Sequence, residues 1–147
     1  HGNAIFTIDY LQRQNFAGEF NSDPTANTQI DFCIANASTS GASIEGIRYY
    51  NWNDLGFGSW SSSTFYDNNV AISNLLGYDR NNYCNIFITP FSNPLGFAYL
   101  PPTNYGVYVG TNYFGVTNIG NFDLNRTLVH ELGHYCGLFH TFYFTSS

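Results

Sequence analysis

The sequence predicts an α+β or α/β domain built on one mixed sheet. Two stretches with helical spacing of apolar residues, one near the start and one near the end, enclose a middle region of short strand-like runs. That order of helix, strands, helix packs helices against a sheet. The 147 residues suffice for one compact domain with its own core, and no internal repeat or second domain breaks the pattern.

Residues 4–17 carry Ile5, Ile8, Leu11 and Phe16 at near-helical intervals, with Phe6 and Tyr10 beside them, and read as an amphipathic backing helix. Gln29 to Ala35 alternates, with Ile30, Phe32 and Ile34 on one face, and reads as a strand. Residues 36–46 are rich in Ser, Thr and Gly and form a loop; Gly46 to Trp52 is a possible second strand. Residues 53–69 read as irregular, and a short helix is expected around 70–76. Tyr83 to Thr89 is a nearly continuous apolar run, as a buried central strand requires. Pro90, Pro94, Pro101 and Pro102 bracket a loop that includes Gly96 to Leu100. Tyr105 to Thr111 alternates again and reads as an edge strand. A helix begins after Gly120, where Asn121 or Asp123 can cap it and Leu124, Leu128 and Leu132 form the face that packs on the sheet.

Composition narrows the function. Charged residues make up only 10% of the chain, the net charge is −6, and all four basic residues are Arg (Arg13, Arg48, Arg80, Arg126). No basic patch can be assembled from these, which argues against a nucleic-acid partner. No apolar run approaches the ~20 residues needed to span a bilayer. The chain opens at His1 without a signal peptide, as a mature or trimmed chain does. Its low charge and abundance of Asn, Ser, Tyr and Gly suit a secreted, extracellular protein. Three cysteines allow one internal pair, for which Cys33–Cys84 is preferred; Cys136 is then free or paired outside the chain. Asn36-Ala37-Ser38 and Asn125-Arg126-Thr127 match the glycosylation acceptor pattern, the second in a confined position at the start of a helix.

Residues 130–140 read His-Glu-Leu-Gly-His-Tyr-Cys-Gly-Leu-Phe-His and hold three of the four histidines. The form H-E-x-x-H-x-x-G-x-x-H specifies a tetrahedral zinc site with one open position. On a helix, His130 and His134 project from one face a turn apart, so both imidazoles can reach one Zn²⁺. Glu131 is rotated by about 100° from His130. It therefore lies beside the metal, placed to take a proton from water and pass it to a leaving amine. A helix continued past His134 would carry residue 140 away; Gly137 can adopt φ > 0, end the helix and return His140 as third ligand. Cys136, two residues after His134, points off the metal face.

This motif marks the metzincin clan of zinc metalloproteases, and its surroundings resemble the pappalysin family within that clan. Asn125 to Val129 and His140-Thr141-Phe142 flank the motif in a similar way. Upstream, Ile30 to Ala35, Gly46-Ile47-Arg48, Tyr83 to Ile88, Gly96-Phe97-Ala98 with Pro101, and Gly106 to Val109 resemble that family's strands and turns. The resemblance spans roughly residues 5–142 and is specific only at the zinc motif. It implies a twisted, mostly parallel sheet above the cleft and a peptide or protein substrate. It also implies that an extended substrate adds to the edge strand at Tyr105, Gly106, Val107, Tyr108 and Val109. A second subdomain with a Met-turn is implied as well, yet the chain has no methionine and only seven residues follow His140. The expectation is therefore the upper subdomain of a catalytic domain, with any Ca²⁺ ligands in the part not carried here. The family's first strand, before the helix at 4–17, is missing or cut short.

The leading expectation is a secreted zinc endopeptidase. The alternative is a structural or binding module, of a filament, surface or adhesion kind, that keeps a protease fold without catalysis. Its tyrosine-rich, low-charge surface would suit packing between subunits, whereas the intact Glu131 favours the enzyme.

Overall fold

Val107, Tyr108 and Val109 are completely buried, and the fold is arranged around them. The computed structural model describes residues 30–91, 93–115 and 125–140. The expected helix at 4–17, the capping residues Asn121 and Asp123, and Leu124 lie outside these.

Helix α1 runs Ser62–Leu76, strand β1 Ile86–Thr89, β2 Gly96–Ala98, β3 Val107–Gly110 and helix α2 Arg126–Tyr135. Short 3₁₀ turns occupy Trp52–Asp54 and Thr111–Tyr113. The sheet order is β1-β3-β2, with β1 parallel and β2 antiparallel to β3. The architecture is thus α+β with a small mixed sheet. Among the described residues no helix is long and apolar enough to cross a membrane.

One cross-strand row sets the register. Phe87, Tyr108 and Phe97 are direct partners on the three strands. Their rings stack, Tyr108 lying 5.0 Å from Phe87 and 4.5 Å from Phe97. Aromatic pairs of this kind reward one alignment and penalise a slip, because a one-residue shift turns every side chain to the other face. The row packs with Phe65 and Ile72 of α1 and with Phe91, and Trp52, Trp60, Tyr66 and Tyr99 enclose it. Tyr108 donates its hydroxyl to the Asn69 carbonyl at 3.0 Å, and Tyr99 donates to Asn69 Oδ1 at 2.6 Å. Burial raises the Tyr108 phenol well above its ordinary range.

Helix α1 is twice the expected length. Ser61 caps it by accepting from the Thr64 N–H at 2.9 Å. Its buried positions are Phe65, Asn69, Ile72 and Ser73, a helical stripe in which two of four members are polar. Both are bonded: Ser73 donates to the Tyr105 carbonyl, and Asn69 to that of Tyr66. Segment 53–69 is rich in Gly, Ser and Asn, and Asn69 interrupts the apolar period, which is why it read as irregular.

On the opposite face, Val107 and Val109 pack against Leu128 and Leu132 of α2, with Ala98, Cys84, Phe32 and Tyr135 at the margin. The predicted sheet-packing face of this helix is correct at Leu128 and Leu132.

Three strand expectations fail. Residues 30–35 form no strand: of the alternating face only Phe32 packs on the core, while Ile30 and Ile34 are 46% and 66% exposed. Gly46 to Trp52 forms none either; nearby, the 36–46 loop closes on the single bridge Ala37–Ser43. Central and edge positions are also exchanged. β1 lies at one side of the described sheet with Ile86 and Ile88 40% and 43% exposed, whereas β3 is bonded on both sides. The more continuously apolar run is the more exposed strand, because burial is set by the neighbours a strand acquires and not by its local pattern.

The Cys33–Cys84 pair is not formed; all three thiols are free. Cys33 is exposed while Cys84 packs into the α2 cluster, so the two side chains occupy different environments. Burial pushes the Cys84 thiol up to about 12, helped by the neighbouring Cys136.

Candidate metal centre

Asn125 precedes α2, and its left-handed backbone (φ 62°) is one that Asn tolerates better than most residues. Its side chain accepts from the Gly115 N–H and is buried, so this acceptor motif is as confined as expected. With Leu128 and Leu132 anchoring one side of the helix, His130, Glu131 and His134 lie toward a cleft of about 610 Å³. Residues Pro94 to Ala98 form the opposing wall.

The helix ends as predicted. Gly137 has φ 95°, its N–H donates to the His134 carbonyl at 2.8 Å, and the Leu138 N–H donates to that of Gly133 at 2.9 Å. These two crossed bonds are the Schellman arrangement, which satisfies carbonyls the helix leaves open and turns the chain back. The turn delivers His140. Its Nε2 lies 3.0 Å from Nε2 of both His130 and His134, and the latter two are 3.1 Å apart.

Three ring nitrogens so placed cannot satisfy one another, since each offers a single donor or a single acceptor. A cation inside the triangle resolves the conflict. Nitrogens at about 2.0–2.1 Å from one tetrahedral zinc would be about 3.3–3.4 Å apart, so the observed spacing is a few tenths of an ångström tighter and fits. His134 Nδ1 is 2.6 Å from the Leu138 carbonyl. A carbonyl only accepts, so Nδ1 carries the proton and Nε2 keeps its lone pair for a metal. Burial, then the adjacent imidazoles, hold His130 below its ordinary pKa, which also favours the neutral ligand form. Cys136 is exposed and its thiol is raised by burial of the sulfur, so it stays outside the triad.

Glu131 is 6% exposed and lines the same cleft. Burial pushes its carboxyl up to about 7, opposed by His134. A carboxyl so poised can both take and give a proton near neutrality.

Tyr105, Gly106, Val107, Tyr108 and Val109 are not at the cleft. β3 is hydrogen-bonded on both sides and offers no free edge, and Tyr105 packs on Tyr99 with Arg80 4.4 Å over its ring. The wall is β2 instead. The Gly110 N–H donates to the Leu95 carbonyl at 3.0 Å, and the Tyr99 N–H to that of Gly106 at 3.1 Å. Antiparallel bonding alternates. Leu95, Phe97 and Tyr99 therefore turn their backbone groups to β3, and Gly96 and Ala98 turn theirs away from it. The small-x-small run Gly96-Phe97-Ala98 was the available signal for this wall. Thr127, one turn before Glu131, is buried with its hydroxyl unpartnered among the described residues, a feature no sequence pattern announces.

Comparison with known proteins points the same way. Over 135 residues the chain is 27% identical to proteins named extracellular metalloprotease from Arthroderma benhamiae and from Trichophyton verrucosum. Each alignment covers 85% of this chain and 44% of the relative, so the chain spans less than half the length of the curated proteins it matches. No family model and no solved structure matches.

Proposed function

We propose that the chain carries the metal-binding half of a secreted zinc endopeptidase of the metzincin, pappalysin-like kind. The observation that carries this reading is the triangle of His130, His134 and His140 nitrogens with the buried carboxyl of Glu131 in the same cleft. The likeness to extracellular metalloproteases supports it. A zinc ion held by the three imidazoles supplies a Lewis acid that polarises a peptide carbonyl and brings the pKa of water to about 7.

The chain's own residues do the rest. β2 binds a peptide in extended form as a further strand, through the outward N–H and C=O groups of Gly96 and Ala98. Glu131 takes the proton of the attacking water and gives it to the departing amine. Leu138 holds the His134 ring through its carbonyl, fixing the tautomer that can bind metal.

The test uses the full-length protein: metal analysis after purification, then cleavage of a fluorogenic peptide with and without chelator. One zinc per chain and chelator-sensitive cleavage, restored by zinc, are expected. Zinc-free protein with no cleavage would sink the reading in favour of a non-catalytic module.

A further inference from the structure

The run Gly96-Phe97-Ala98 has a second property. A Cβ placed on Gly96 would lie 2.8 Å from Glu131 Cγ, 2.9 Å from the Tyr108 carbonyl oxygen and 3.0 Å from Thr127 Cγ2. Real Cβ atoms do not approach carbon or oxygen so closely, and packed interiors accommodate even one extra carbon poorly. The backbone at Gly96 takes no left-handed conformation, so glycine is required here for space and not for φ. The space it leaves is bordered by the side chains of Glu131 and of Thr127, one helical turn apart on α2. Glu131 has no hydrogen bond to hold it among the described residues, so packing is what sets its direction.

We infer that Gly96 is a positioning residue for Glu131: the bare backbone of β2 seats the base, and the strand that receives the substrate is in contact with the group that acts on it. This rests on the proteolytic reading above. A side chain at residue 96 would push the Glu131 carboxyl off its line to the scissile bond and, through the Tyr108 carbonyl oxygen, press β2 slightly from β3, while leaving the zinc ligands in place. Displacing a reacting group by about 1 Å costs on the order of 10²-fold in rate.

The experiment compares Gly96→Ala with wild type in the full-length protein, measuring kcat and KM separately with zinc content and thermal unfolding. A fall in kcat of at least ~30-fold is expected, with KM within about 3-fold and zinc unchanged. Adding Thr127→Ser removes Cγ2 and gives Glu131 room to move aside, so the double variant should recover part of the lost kcat. Unchanged kcat in Gly96→Ala, or a loss lying wholly in KM or in zinc, overturns the inference. If Gly96→Ala does not fold, Thr127→Ser alone decides: removing Cγ2 loosens the space beside Gly96 in which Glu131 sits, and should lower kcat by about 3-fold with KM and zinc unchanged, and a wild-type kcat refutes it. Failure of the underlying reading looks different, because wild-type protein would then show no chelator-sensitive cleavage at all.

Discussion

On the α1 face of the sheet, Phe87, Tyr108 and Phe97 form a stacked row under Phe65, Phe91 and two tryptophans. On the α2 face β3 and β2 present Val107, Val109, Ala98 and Gly96, and the helix above them carries His130, His134 and Glu131. The first face is thick and aromatic, and buries large apolar area whose removal from water contributes most to holding the sheet together. The second is thin. Small side chains let α2 approach until Glu131 touches the edge strand, which larger residues would forbid. The difference teaches that bulk and closeness are divided between the two sides of one sheet, with the large apolar side chains on one and the clustered histidines with Glu131 on the other.

That division can be broken or sharpened by substitution. The largest effect is expected from Glu131→Gln in the full-length protein, where cleavage should fall about 10³-fold with zinc content and unfolding temperature maintained. A marked loss of stability in that variant would show that the thin face is also structural. Phe65→Ala on the thick face should cost about 3–5 kcal/mol, read as a shift in the urea midpoint. Any residual folded protein should keep the zinc stoichiometry of wild type. Gly137→Ala forces a side chain into φ 95° and should cost about 1–2 kcal/mol. Unlike Phe65→Ala it should also weaken zinc binding, measurable by chelator competition, because the turn that returns His140 is strained. Ser61→Ala removes the α1 cap and should cost about 1 kcal/mol, with metal affinity unaffected.

The thin face was the easier to read in advance. The positions of His130, His134, Gly137 and His140 follow from helix period and one glycine, all local, and the structure brings them together as expected. The thick face was harder because its logic is tertiary. Asn69 and Ser73 look like solvent-facing residues until Tyr99 and Tyr105 are seen to meet them. Without those partners, α1 had no continuous apolar stripe to announce it. The exchange of edge and centre between β1 and β3 has the same cause, since strand order is decided by contacts far apart in the chain. Gly96 was matched only as part of a resemblance; that its missing side chain makes room for Glu131 needs both elements in place.

The Schellman turn at Gly137 has one more consequence. It brings all three imidazoles together within eleven consecutive residues, bridging the last two with a loop of only five. Loop-closure entropy grows with the length of chain enclosed, so a site this local restricts little of the unfolded ensemble when it forms. The three-histidine cluster needs only one helix and its terminal turn, and can assemble without waiting for distant strands to pair.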